Sequence, residues 1–155
     1  GAILLGSEDL IAQAKLWQRR AGGTIFTLAP QVASAAMLFD ESLAKQPAYR
    51  QRAQSLVKAL SDIPQLRFLP KEPQVNMVHV YLPFSAEVAT KLRDEIEAKY
   101  GFRLFNRIAV AEKGNPQESY FELTVGDNLM ALSNTQVHEI FTHFVSAGLD
   151  YRELV

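Results

Sequence analysis

The sequence contains no cysteine among its 155 residues. This absence excludes disulfide bonds, a thiolate nucleophile and zinc held by cysteine ligands. A lack of disulfide bonds suits a reducing compartment, and we therefore expect a cytoplasmic protein. Any covalent chemistry would have to come from other side chains.

A long apolar run and an excess of charge of one sign are also missing. No run approaches the ~18 apolar residues that a membrane-spanning helix needs, so we expect a soluble protein without a membrane partner. The 16 basic and 17 acidic residues give a net charge of -1. Because this balance provides no broad field to attract a phosphate backbone, nucleic acid is not an expected partner.

Short motifs that mark complete catalytic machinery are absent as well. The sequence has no glycine-rich phosphate loop, nucleophile elbow or kinase signature, and we predict no catalytic residue within it. His138 and His143 resemble the pair of a zinc-protease helix, but they are five residues apart instead of four. That spacing turns the second ring by ~140° from the first, so we predict no metal site. His79 is interpreted as a residue of a sheet.

Composition and hydrophobic pattern predict a folded α+β protein. At 48% hydrophobic and 21% charged residues, the chain can bury a sizeable core. Residues 2–5 are predicted to form a strand, and Ser7 is predicted to begin a helix that ends near Arg20. A second helix starts at Pro30, and Pro47 either kinks it or starts another. The predicted buried face of the first helix comprises Leu10, Ile11, Ala14 and Trp17.

From residue 65 onward the predicted order is ββαββα, an antiparallel sheet with helices on one face. The predicted strands cover residues 66–69, 75–82, 102–110 and 119–125. The predicted helices begin after Ser85 and near Ser133, where Gln136 takes the capping-box position, and end at Gly101 and Gly148.

The turn Gly22-Gly23-Thr24 can be interpreted in two ways. One glycine suffices to end a helix, and this is the favoured interpretation. A second glycine followed by a hydroxyl also allows backbone and side-chain donation to an anion such as a phosphate. Spacing alone leaves both open.

Four segments together suggest a relationship to a known group of enzymes. They are the strand-like segment 1–7, the helix that ends in residues 17–23, the alanine-rich helix after Pro30, and the strand segment 74–78. This arrangement resembles the threonine aldolase and β-eliminating lyase group of pyridoxal-phosphate enzymes of fold type I. The resemblance covers nearly the whole chain.

The resemblance implies a C-terminal portion of such an enzyme. Residues 1–46 would be the edge of the large cofactor-binding domain with a connecting helix, and residues 47–155 the small C-terminal domain. The chain lacks an initiator Met, and we expect the Schiff-base lysine to lie upstream of Gly1, since Lys15 is interpreted as an exposed helix residue. The chain alone would then be inactive.

The implied function is that of a lyase which cleaves a carbon-carbon bond or carries out β-elimination on an amino acid or a related substrate. The implied cofactor is pyridoxal 5'-phosphate. The expected partners are the N-terminal remainder of the same protein, further copies in a homodimer or homotetramer, and a small-molecule substrate.

Site residues follow from the same resemblance. Gly23 and Thr24 would contact the cofactor phosphate, and Asn76 and Glu122 would border the substrate. Phe26 stands where the family usually has an arginine.

Glu122 likewise stands where the family uses an arginine to grip the substrate carboxylate. Whether Phe26 and Glu122 truly replace those arginines stays open. Arg103 or Arg107, on the predicted adjacent strand, is a candidate to compensate for the change at Glu122.

A different class of function is also compatible with the pattern. Residues 65–147 could form a stand-alone ββαββα module for ligand sensing or oligomerisation, without catalysis. The N-terminal helices would then form a dimer arm.

Overall fold

The computed structural model describes residues 3–25, 27–112 and 115–153. The chain divides into two compact units, Gly1–Lys45 and Gln46–Val155. In chain order the elements are α1 (Glu8–Arg20), α2 (Ala29–Ala59), β1 (Arg67–Leu69), β2 (Met77–Leu82), α3 (Ala86–Tyr100), β3 (Ala109–Glu112), β4 (Asn115–Thr124), α4 (Asp127–Met130) and α5 (Asn134–Glu153).

In the first unit, α1 begins where the sequence predicted. The Ser7 hydroxyl accepts a hydrogen bond from the Leu10 backbone N–H at 3.4 Å, and acidic residues occupy the first turn. The predicted buried face of α1 is wrong, since Leu10 is 51% exposed and Trp17 is 63% exposed. An amphipathic helix buries its apolar stripe only where another element packs on it, and no residue of α1 is buried in this structure.

The strand predicted over residues 2–5 is also wrong for the part that the structure describes. Residues 3–5 belong to no strand, and residue 2 lies outside the described residues. A strand needs a neighbour to accept and donate its backbone hydrogen bonds. Among the described residues, β1 to β4 pair only with one another.

The second unit contains a four-stranded sheet in the order β1-β2-β4-β3, in which all neighbouring strands are antiparallel. The predicted combination of helices with an antiparallel sheet is confirmed. Phe68, Val80 and Phe121 lie side by side in the register and are buried. Side chains from α2, α3 and α5 complete this core, which includes Leu56, Leu60, Leu92, Ile96, Phe141 and Phe144.

The structure corrects the third predicted strand. β3 begins at Ala109, whereas residues 102–108 have no strand structure. Leu104 and Phe105 are consecutive and both buried, which does not fit a strand that buries only one of its two faces. Phe105 stacks on Phe121, with 4.5 Å between ring centroids. Arg103 and Arg107 therefore lie on an irregular segment and not on an adjacent strand.

Several helix ends follow the predicted signals. The Ser85 hydroxyl accepts the Val88 N–H, and Gly101 closes α3 in the left-handed conformation with φ of 66°. Ser133 and Gln136 form the predicted capping box: the Ser133 hydroxyl accepts the Gln136 N–H at 3.1 Å, and the Gln136 side chain accepts the Ser133 N–H at 2.9 Å.

Two helix interiors differ from simple sequence rules. Pro47 lies inside α2, which continues through it. Gly148 does not end the last helix, since α5 extends to Glu153. A Cβ at Gly148 would lie 2.2 Å from the Phe84 ring, so this glycine permits a close approach instead of a stop. No helix among the described residues is long and apolar enough to cross a membrane.

Candidate functional site

The sheet of the second unit has a face opposite its core that is only partly covered. In β2 the side chains alternate between buried and half-buried, so that Met77, His79 and Tyr81 share this second face. The register places Tyr120 beside Tyr81 and Glu122 beside His79. Polar and aromatic groups thus meet on one surface.

An aromatic ladder, defined here as Tyr81, Tyr120 and His79, crosses this face. Tyr81 and Tyr120 stack with centroids 5.2 Å apart and planes 22° apart. His79 lies 5.1 Å from Tyr120 at a tilt of 45°. At the β1 end, the Arg67 guanidinium lies 3.7 Å from the centroid of Tyr81, which is a cation–π contact.

Beside the ladder lies an open groove of about 1040 Å³. Its walls come from the segment before β3, from β4 and from the start of α4, and His79 contributes from β2. The lining residues are His79, residues 102–109, residues 120–124 and residues 126–129.

Opposite charges line the groove. Arg103 pairs with Glu97 at 2.7 Å, and this hydrogen bond and charge raise the pKa of Arg103. Arg107 has no hydrogen bond or ion pair with any residue that the structure describes. The Glu122 carboxylate accepts a hydrogen bond from the Thr124 hydroxyl at 3.2 Å. At the α4 end, the Tyr49 hydroxyl donates to Asp127 at 2.6 Å.

The two substrate-side residues predicted from sequence have different places. Glu122 lines the groove, whereas Asn76 is not among its lining residues. The Asn76 side-chain amide donates to the Val125 carbonyl at 2.9 Å, and the Val125 N–H donates to the Asn76 carbonyl at 2.7 Å. Asn76 therefore fastens the end of β4 immediately before Gly126, which does line the groove.

The two cofactor-side residues lie in the first unit, at the end of α1. Gly22 has φ of 74°, its N–H donates to the Arg19 carbonyl, and the Gly23 N–H donates to the Gln18 carbonyl at 2.8 Å. These bonds form a Schellman motif. The Gly23 N–H is thus already used, and a Cβ at Gly23 would lie 2.8 Å from the Gln18 side chain.

Thr24 follows this motif and is exposed. Its hydroxyl makes no hydrogen bond with a described residue. Phe26, which stands where the resemblance implies a family arginine, lies outside the described residues. Of the two residues predicted on the cofactor side, the structure therefore leaves only Thr24 with a free donor.

Pyridoxal phosphate needs several phosphate donors and a lysine placed for Schiff-base formation. In the described part of the first unit, the Thr24 hydroxyl is a free donor. The Gly23 N–H, however, already donates to the Gln18 carbonyl. Lys15 is exposed on α1. The residues described here do not by themselves form a complete site for this cofactor.

The two histidines of α5 face different partners. His138 Nε2 lies 2.9 Å from Asp62, and the His143 ring lies 6.1 Å from that of Tyr100. Among the residues described, no group of three potential ligands could hold a metal ion.

Sequence reasoning missed the aromatic ladder and the groove. The alternation of Met77, His79 and Tyr81 with buried residues was a usable signal, because half-buried aromatics at every second position mark one face of a strand. The irregular wall containing Arg107 had no such signal.

The fold of this chain is similar to part of the fold of solved threonine aldolase and β-eliminating lyase structures. A proposed L-allo-threonine aldolase from Listeria monocytogenes EGD-E is 25% identical, with a TM-score of 0.68, over 90% of this chain and 38% of that one. A proposed aromatic amino acid β-eliminating lyase/threonine aldolase from Exiguobacterium sp. 255-15 is 21% identical, with a TM-score of 0.69, over 92% of this chain and 39% of that one. No family model and no curated protein matches.

These likenesses confirm the resemblance to threonine aldolases and β-eliminating lyases that the sequence indicated. The chain spans less than two fifths of the length of either solved structure. Its likeness is therefore to a fragment of each.

Proposed function

We propose that this chain is the C-terminal portion of a pyridoxal-phosphate-dependent lyase of fold type I. The parent protein would act on an amino acid or a related substrate, by carbon-carbon cleavage or β-elimination. The observation that carries this proposal is the match of 90% of the chain, at a TM-score of 0.68, to a proposed L-allo-threonine aldolase. Residues 1–46 would be the edge of the large domain and residues 47–155 the small domain.

The exposed apolar residues of the first unit support a larger parent protein. Leu5, Trp17 and Met37 are 80%, 63% and 83% exposed. Soluble proteins seldom leave so many large apolar side chains in water without a covering surface. We assign that cover to the N-terminal remainder of the parent, which would also carry the Schiff-base lysine and would assemble as a homodimer or homotetramer.

Each predicted site residue has a role in this proposal. The Thr24 hydroxyl would donate to the cofactor phosphate, and Gly23 would shape the turn that presents it. Glu122 would border the substrate directly. Asn76 would border the substrate side by holding the end of β4 in place. When bound, the cofactor would supply the electron sink for a carbanion at the substrate α-carbon.

The test is made on the full-length protein that contains this chain. We expect an absorbance band of an internal Schiff base that borohydride removes, together with lyase activity on an amino acid. A full-length protein without that band would contradict the proposal, and so would an upstream sequence without a lysine.

The role of Thr24 can be tested separately. Because a lost hydrogen bond to a charged group costs about 1.5–3 kcal/mol, Thr24→Val should weaken cofactor affinity by about tenfold or more. Thr27→Val, three residues further on and also exposed, is the matched control and should leave the affinity unchanged. Equal cofactor affinities for the two variants would show that Thr24 does not contact the cofactor phosphate.

A module for ligand sensing or oligomerisation is the second candidate. The observation that favours it is that the second unit has its own core and its own groove. Binding of a small ligand by a full-length protein that lacks the Schiff-base absorbance would support this candidate.

A further inference from the structure

The aromatic ladder already binds one cation within the chain. Arg67 lies over Tyr81 at the β1 end, and Tyr81 stacks on Tyr120. Electron-rich ring faces attract guanidinium and ammonium groups, and the attraction grows when water is partly excluded. At the other end, Tyr120 and His79 open into the groove, and no cation of the described residues lies over either ring.

A carboxylate stands beside this open end of the ladder. Glu122 follows Tyr120 by two residues on the same face of β4 and lies opposite His79 in the register. Among the described residues, its carboxylate forms a hydrogen bond only with the neutral Thr124 hydroxyl and has no ion pair. An anion without a cationic partner next to aromatic rings is the combination that recognises an organic cation.

The positive charges of the groove come from the segment before β3. Arg103 is neutralised by Glu97, whereas Arg107 is free among the described residues. Arg107 belongs to the segment that leads into β3, which borders β4 on the side away from β2. The groove is thus lined by a carboxylate beside aromatic rings, on β2 and β4, and by a free guanidinium on the segment that leads into β3.

From this charge arrangement we propose that the groove takes an α-amino acid whose side chain ends in a guanidinium or ammonium group. Glu122 pairs with the side-chain cation, Tyr120 and His79 form the wall beside it, and Arg107 receives the carboxylate. At about 1040 Å³, the groove is slightly larger than the ~300–1,000 Å³ typical of ligand pockets and has room for such an extended molecule. Because the inference names the substrate class of the lyase, it rests on the proposed function.

L-Arginine and L-citrulline are the probes, because they have the same length and differ in the charge of the terminal group. Titration of the 155-residue chain by calorimetry should give about tenfold tighter binding of arginine, because the cation–π contact and the ion pair together favour the charged ligand in the open groove. L-Lysine, compared with the neutral citrulline, tests whether the groove also prefers an ammonium group. Equal affinities for arginine and citrulline, or no binding of either, would overturn the proposal.

Glu122→Gln should abolish the preference for arginine over citrulline. Glu118→Gln is the matched control, because Glu118 lies on the same strand but does not line the groove, and it should keep the preference. Arg107→Gln should weaken binding of arginine but not of agmatine, which lacks the carboxylate. A preference that survives Glu122→Gln would refute the role of Glu122.

These titrations need no cofactor and no turnover, so their failure differs from failure of the proposed function. Absence of the Schiff-base band from the full-length protein would contradict the proposed lyase function. Equal affinities for arginine and citrulline would contradict the cationic substrate class. They would not contradict the proposed lyase function.

Discussion

Arg52 connects α2 to the segment between α4 and α5. Its guanidinium donates to the Leu129 carbonyl at 3.1 Å, to the Leu132 carbonyl and to the Asn134 side chain. Burial lowers the pKa of Arg52, although arginine stays charged in proteins. One side chain thus satisfies carbonyls that the end of α4 leaves without helix partners. Since Leu129 lines the groove, Arg52 supports one groove wall from behind.

Replacement of Arg52 by Ala should therefore destabilise the chain by about 2–3 kcal/mol, because it removes charge-assisted hydrogen bonds and leaves partly buried carbonyls unpaired. Urea unfolding followed by circular dichroism measures this loss. Arg50→Ala, two residues away and exposed, should change stability by less than about 0.5 kcal/mol. If Arg52→Ala lowers the free energy of unfolding no more than Arg50→Ala does, the hydrogen bonds of Arg52 do not stabilise the chain.

At the scale of single elements, Gly148 decides how closely α5 approaches the turn after β2. A Cβ there would lie 2.2 Å from Cε1 and 2.5 Å from Cζ of Phe84, and Phe84 itself is only 1% exposed. Phe84 also packs edge-on against Phe144, with centroids 5.5 Å apart. A ring so enclosed has little room to move away.

Gly148→Ala should consequently destabilise the chain by about 1–3 kcal/mol through overpacking, although alanine gains up to about 1 kcal/mol in helix propensity. Thermal or urea unfolding gives the sign of the change in stability. Adding Phe84→Leu should make the Gly148→Ala change less costly, since the clashing ring is gone. Ser146→Ala, on the exposed side of α5, is the control and should be neutral or slightly stabilising. A stabilised Gly148→Ala variant would contradict the close approach.

Elements held by local hydrogen bonds were predictable, and those held by distant contacts were not. Ser7, Ser85 and Ser133 begin helices as predicted, since a cap uses only residues three positions away. Gly148 was predicted as a helix end, because no nearby residue in the sequence indicates that Gly148 packs against Phe84.

The candidate site follows the same division between local and distant contacts. Glu122 was predicted and does line the groove, but the ladder depends on pairing between β1, β2 and β4. The place of Arg107 depends on how Leu104 and Phe105 enter the core. Neither relation is encoded within one short segment.

At the scale of the whole molecule, burial is divided unequally along the chain. The buried hydrophobic residues run from Ala53 to Val145, within the second unit. In the first unit, large apolar residues such as Leu10, Trp17 and Met37 are exposed. Burial of apolar area is the dominant favourable term in folding, so the stability of the isolated chain should reside in the second unit.

The fragment 46–155 should therefore fold by itself and keep the urea midpoint of the whole chain. Its α2 segment would start next to Pro47, and proline is well tolerated in the first turn of a helix, where its missing N–H leaves no helix bond unmade. The fragment 1–45 should be largely unstructured alone, because α1, with 13 residues, is near the length at which isolated helices are marginal in water. Circular dichroism and amide hydrogen exchange on the two fragments test this division. A 46–155 fragment that fails to fold would mean that the first unit contributes to the stability of the core.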